Sequence, residues 1–135
     1  MRLLNTQTLQ LEEFQGEDVP KYAILSHRWG KEEVLFKDME QGVASSRAGF
    51  AKLESCCKMA HTRGFGYTWI DACCIDKSSS AELTESINSM FRWYARAGEC
   101  YAYLADVPST QLDDDEDESK EGNEFSSSVW FTRGW

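Results

Sequence analysis

Two apolar runs in this chain end in residues with the chemistry of a binding site. Tyr22-Ala23-Ile24-Leu25-Ser26 gives way to His27-Arg28-Trp29-Gly30, and Tyr67-Thr68-Trp69-Ile70 gives way to Asp71-Ala72-Cys73-Cys74-Ile75-Asp76-Lys77. Ser26, His27, Arg28 and Gly30 combine hydrogen-bonding groups with flexibility, and Trp29 offers a stacking surface. Such a set at a strand end suits the phosphates or ribose of a nucleotide. Asp71 could hold a ribose hydroxyl, or orient His27 if the two strands are neighbours. Structural uses compete with each role: Gly30 as a turn, Trp29 as core, Asp71 as an acceptor for nearby backbone amides.

Glu82 is the carboxylate nearest the second loop and a candidate general acid or base. Its plainer role is a capping box, because Ser79 stands three residues before it at the start of a helical pattern. The five cysteines are Cys56, Cys57, Cys73, Cys74 and Cys100. An odd count, four of them in two adjacent pairs and none in a C-x-x-C, fits neither a secreted disulfide framework nor a zinc site. Reduced, mostly buried thiols are expected. If a strand runs through Cys73 and Cys74, their side chains point to opposite faces, one buried and one exposed. No lysine or histidine adjoins them in sequence to activate a thiol. Neither a glycine-rich phosphate motif nor a Ser-His-Asp signature is present.

These residues need elements to position them. The unbroken apolar character of Tyr22 to Ser26 predicts a strand buried on both faces. Arg47 to Arg63 reads as a helix with Phe50, Leu53, Cys57 and Ala60 on one face, ended by Gly64 and Gly66. Tyr67 to Asp71 is predicted as a second strand. Ala81 to Ala97 is predicted as a helix burying Leu83, Ile87, Met90, Phe91 and Tyr94, and Cys100 to Leu104 as a third strand. Strand, helix, strand, helix, strand with short connections implies parallel pairing. Arg2 to Phe14 alternates weakly, as a hairpin at a sheet edge or a cover over the core would.

The 135 residues suffice for one domain with a real core, and 41% apolar content excludes a wholly disordered chain. No apolar run reaches the roughly 20 residues of a membrane span, and the first residues lack the pattern of a signal peptide. A cytoplasmic protein is expected. Of the net charge of −9, the stretch Asp113 to Glu124 supplies most, with eight acids and one lysine. The remainder is nearly neutral, so a basic nucleic-acid footprint is absent. Residues 109–128 are expected to form an acidic surface loop or insert. The apolar end, Val129 to Trp135, reads as the start of something larger.

Several strings together resemble the fungal heterokaryon-incompatibility (HET) domain. They are Tyr22 to Gly30, Gly64 to Lys77, Ile87-Asn88-Ser89-Met90-Phe91-Arg92-Trp93-Tyr94, Cys100-Tyr101-Ala102-Tyr103-Leu104 and Trp130-Phe131-Thr132-Arg133-Gly134-Trp135. The resemblance spans residues 1–135 apart from the acidic insert. It implies an α/β fold with a TIR-like (flavodoxin-like) parallel sheet and flanking helices, this chain being the N-terminal part of a larger HET domain. It also implies self/non-self recognition between fungal individuals, with cell death signalled through self-association or partner signalling domains.

By the distant likeness to TIR domains, Asp71 to Ser80 would be an assembly loop, with Cys73, Cys74, Asp76 and Lys77 as contacts. Trp135 would fall on the tryptophan four residues before the catalytic glutamate of NAD-cleaving TIR domains, at the pocket edge. That glutamate would lie beyond Trp135, so NAD is expected as a substrate only of a longer chain. This stretch alone is expected to be inactive. No cofactor or metal is implied. Three readings stay open: a self-associating signalling module, a nucleotide glycohydrolase using Glu82 or Asp71, and a pure interaction module.

Overall fold

A computed structural model describes residues 1–107 and 125–132. Its centre is a five-stranded sheet in the order β2-β1-β4-β3-β5. The strands are β1 (Arg2–Asn5), β2 (Leu11–Glu13), β3 (Tyr22–His27), β4 (Tyr67–Trp69) and β5 (Glu99–Tyr103). All six residues of β3 are buried, as its apolar run requires of a central strand. It pairs in parallel with β4, Ile24 opposite Trp69, and with β5, His27 opposite Tyr103.

The sheet is mixed rather than parallel throughout. β1 and β2 form an antiparallel hairpin, and β1 lies antiparallel to β4 with Leu4 opposite Thr68. The weak alternation at the N-terminus is therefore an edge hairpin, and the fully buried Leu3 and Leu4 bind it to the core.

Helices α1 (Phe36–Glu40), α2 (Phe50–Thr62), α3 (Asp71–Cys74) and α4 (Ser80–Arg96) complete the fold, with 3₁₀ turns at Ala44–Ser46 and Val129–Thr132. α2 and α4 cover opposite faces of the sheet. Thr68 meets Cys56 of α2, with Oγ1 and Sγ 3.5 Å apart. Its neighbour Trp69 points the other way, onto Trp93 and Tyr94 of α4 at centroid distances of 5.4 and 6.1 Å. Leu53, Cys56, Cys57 and Ala60 form the buried face of α2. Gly64, at φ +86°, lets the chain reverse after it.

Two expectations need correction. The second strand stops at Trp69, and residues 71–74 form a helical turn closed by the Cys74 amide donating to the Ile70 carbonyl at 2.9 Å. A turn of helix replaces strand alternation, so Cys73 and Cys74 are both buried instead of facing opposite sides. Burial also raises the thiols of Cys56 and Cys57. Cys73 is raised by the Cys74 thiol beside it and by burial.

The second correction concerns α4. Leu83, Met90, Trp93 and Tyr94 pack against the core, but Ile87 is 60% and Phe91 85% exposed. Two tyrosine bonds fix the helix rotation. Tyr22 donates to the Trp93 carbonyl at 2.6 Å, and Tyr94 to the Leu25 carbonyl at 3.2 Å. In that rotation the small Ser86 and Ser89 turn inward. Beside them a groove of about 870 Å³ opens between α4 and the N-terminal hairpin, its wall including Tyr22, Trp69 and Trp93.

Candidate functional site

Parallel β3 and β4 deliver their C-terminal ends side by side, which brings His27 to Asp71. His27 Nε2 lies 2.8 Å from Asp71 Oδ1. The Trp29 indole N–H donates to the same carboxylate, at 3.2 Å to Oδ1 and 3.1 Å to Oδ2. Lys77 folds back over this group. Its ammonium donates to the Asp71 carbonyl at 2.5 Å and stands 4.5 Å above the Trp29 ring centroid, a cation–π contact. Ser26, His27, Trp29, Asp71 and Lys77 thus gather at one strand end.

The electrostatics follow from the packing. Burial pushes the Asp71 carboxyl up, but the His27 bond and charge, the Trp29 N–H and the Lys77 ammonium together hold it below the ordinary aspartate value. Burial lowers Lys77, and Asp71 opposes that shift. Asp71 therefore serves here as a carboxylate acceptor joining two loops.

The other side of the imidazole is unusual. The His27 side chain is wholly buried, and its Nδ1 has no hydrogen-bond partner among the described residues. Glu33 Oε1 faces it at 3.9 Å, beyond bonding distance. That oxygen is occupied by the Gly30 amide at 2.6 Å and the Lys52 ammonium at 2.5 Å. Gly30 thus makes a turn closed by Glu33, and its neighbour Trp29 is 43% exposed rather than core. The loop is also held from α2. The Gly49 amide donates to the Glu32 carbonyl at 2.8 Å, and a Cβ on Gly49 would lie 2.7 Å from that oxygen.

A third wall comes from residues 125–132. Trp130 Nε1 donates to the Ser26 carbonyl at 3.1 Å, and Arg28 to Thr132 Oγ1 at 2.8 Å. Asp106, just past β5, accepts from Ser128 Oγ at 2.6 Å and from the Val129 amide at 2.8 Å. Trp135 lies outside the described residues.

Glu82 stands apart from this cluster. It forms an ion pair with Arg2, with the second guanidinium nitrogen 3.1 Å from Oε2, and accepts from the Asp76 amide at 2.8 Å. Ser79 Oγ caps the Glu82 amide at 3.3 Å. The cap is real, but the Glu82 side chain reaches the Asp76 amide rather than that of Ser79. In the proposed assembly loop, the buried Cys73 and Cys74 offer nothing to a partner, and Asp76 binds Ser78. Among the described residues, no three His, Cys, Asp or Glu side chains converge to hold a metal. No helix among them is long and apolar enough to cross a membrane.

Sequence reasoning missed Glu33, Lys52, Trp130 and Arg2. Only the proximity of Glu33 to His27 in the chain hinted at the first. The others reach their sites across 19 to 104 positions, and no local pattern encodes that.

Comparison with known proteins places this geometry in a family. A family model described as "Heterokaryon incompatibility protein (HET)" matches residues 22–123, which include β3, β4, the strand-end cluster and α4. The chain is 50% identical over 119 residues to the vegetative incompatibility protein HET-E-1 of Podospora anserina. That alignment covers 87% of this chain and 9% of the relative, so the chain corresponds to a small part of that protein. No solved structure matches. On these matches, the chain belongs to the heterokaryon incompatibility (HET) family.

Proposed function

We propose that this chain is a module of fungal vegetative incompatibility that signals cell death by associating with copies of itself. The observation that carries the reading is the 50% identity to an incompatibility protein across 87% of the chain. We read the architecture as TIR-like. The parallel strands β4-β3-β5 follow the 2-1-3 order of the flavodoxin-like sheet, with helices on both faces. The test is expression of the chain in a fungal host, alone and fused to a forced-dimerisation domain. Death that depends on dimerisation supports the proposal. Normal growth with both forms at confirmed expression rejects it.

A second reading, a nucleotide glycohydrolase of TIR type, rests on the unpartnered Nδ1 of His27 beside a strand-end cluster. In that reading NAD is the substrate and Trp29 the stacking surface. Glu82 is a poor acid for it, since Arg2 and the Asp76 amide already engage its carboxylate. Incubation of the chain with NAD tests it: nicotinamide release that Asp71→Asn abolishes, with the fold intact by circular dichroism, would favour it.

A further inference from the structure

The groove beside α4 is polarised from end to end. On the helix side of its lining, Glu85 stands towards one end and Arg92 and Arg96 towards the other. The hairpin side contributes both signs, Glu13, Glu17 and Lys21, so the helix sets the polarity. Tyr22 fastens the start of β3 to the cationic end. Its hydroxyl donates to the Trp93 carbonyl at 2.6 Å, and its carbonyl accepts from the Gly98 amide at 2.9 Å. Lys21, the residue before it, is thereby brought to that end. Burial pushes the Tyr22 hydroxyl up to about 12, and the charge of nearby Arg96 opposes the rise. Lys21, Arg92 and Arg96 form no ion pair with an acid among the described residues, and Arg92 reaches only Ser89 Oγ, at 3.1 Å. Cations in the last turns of a helix answer its dipole, but that leaves their N–H groups free for a ligand. Between the charges lies Ser86. It is 4% exposed and lines the groove, and its hydroxyl has no hydrogen-bond partner among the described residues. A hydroxyl so placed gains a bond only from what enters the groove.

We propose that this groove binds a small phosphate monoester whose far end carries N–H donors, a ligand of nucleoside-monophosphate size. The phosphate dianion sits among Lys21, Arg92 and Arg96, whose combined positive charge suits it better than a single carboxylate. The far end donates to Glu85 and Ser86, and the body of the ligand lies along Trp93. The dimensions agree. Glu85 and Arg92 are seven residues apart, a rise of about 10 Å along the helix. A groove of about 870 Å³ lies within the size range of small-ligand sites. This site is separate from the strand-end cluster of His27 and Asp71 and requires neither functional reading given above.

Amide NMR spectra of the 135-residue chain, titrated separately with adenosine monophosphate, adenosine and inorganic phosphate, test this. Adenosine monophosphate is expected to shift the amides of Ser86, Ser89 and Trp93. It should bind about tenfold or more tightly than adenosine or phosphate, since each of those holds only one end. Raising the salt from about 50 to about 300 mM should weaken it several-fold. R92Q/R96Q is expected to weaken it by about tenfold or more, and S86A by about three- to tenfold. Glutamine and alanine are good helix formers, and Arg92 and Arg96 are exposed, so these losses report binding rather than folding. Circular dichroism of each variant checks that. Shifts confined to His27, Trp29 and Asp71 would place the ligand at the strand ends and overturn the groove site. Adenosine or phosphate binding as tightly as the monophosphate overturns the two-ended ligand. An affinity unchanged in R92Q/R96Q, or no shift at about 10 mM adenosine monophosphate, overturns the proposal outright.

Discussion

His27 Nε2 and Asp71 Oδ1, 2.8 Å apart, join the ends of two neighbouring parallel strands across 44 positions of sequence. The bond ends β3 and starts α3 at the same point, so the loops after both strands take their direction from it. Asp71→Ala removes the acceptor for His27 and for the Trp29 indole together. Urea unfolding is expected to show a loss of about 2–4 kcal/mol, because a buried imidazole loses its partner. Asp71→Asn keeps one acceptor oxygen and should lose less.

Acid should weaken the fold in a defined window. The Asp38 carboxyl resists its own burial through the Leu35 amide and Arg47, and it lies below the ordinary aspartate value. Asp71 is lowered despite burial by His27, Trp29 and Lys77, and Glu82 despite burial by Arg2 and the Asp76 amide. A carboxyl with a depressed folded-state pKa stabilises the fold above its unfolded value, and that stability is lost as pH falls through the folded value. Stability should therefore hold down to the ordinary carboxylate range, about pH 4, and fall below it. Thermal melts from pH 6 to pH 2 check this. A Tm that stays level below pH 4 would contradict it.

Gly49→Ala should loosen the loop that holds Trp29 and Glu33. Its Cβ would press on the Glu32 carbonyl at 2.7 Å, a backbone atom that cannot rotate away. A loss of about 1–3 kcal/mol is expected, with faster amide exchange at Gly30 and Val34. Gly16, where a Cβ meets nothing within 4 Å, is not a neutral control because its φ is +61°. Gly66, equally open, is the better one.

Glu82→Gln separates two roles of one side chain. Glutamine still accepts from the Asp76 amide but no longer pairs with Arg2. A partly buried ion pair at a helix start contributes modestly, so a loss of about 0.5–1 kcal/mol is expected in the same unfolding assay.

How much of this was legible in the sequence depends on the range of the cause. β3 and the start of α4 were readable because they rest on local signals: an uninterrupted apolar run, and a serine three residues before a glutamate. The meeting of His27 with Asp71 followed from strand adjacency, which short crossovers imply. The helical turn at Asp71–Cys74 was missed because Trp69-Ile70-Asp71-Ala72-Cys73-Cys74 continues in apolar character whether strand or helix. The rotation of α4 was missed for a different reason. Periodicity gives the apolar face, but tyrosine bonds to the Trp93 and Leu25 carbonyls decide how far that face turns inward. The fold around Glu33 was out of reach, since a buried glutamate looks like any surface acid until its lysine is found.

The contact between Asp106 and Ser128 has a topological consequence. Two points 22 positions apart are fastened at 2.6 Å, and the second is fastened again to β3 through Trp130 and Ser26. The turn at Val129–Thr132 thus ties the segment just past β5 to the end of β3 from outside the sheet, so a substitution in that turn would be felt at two strand ends at once.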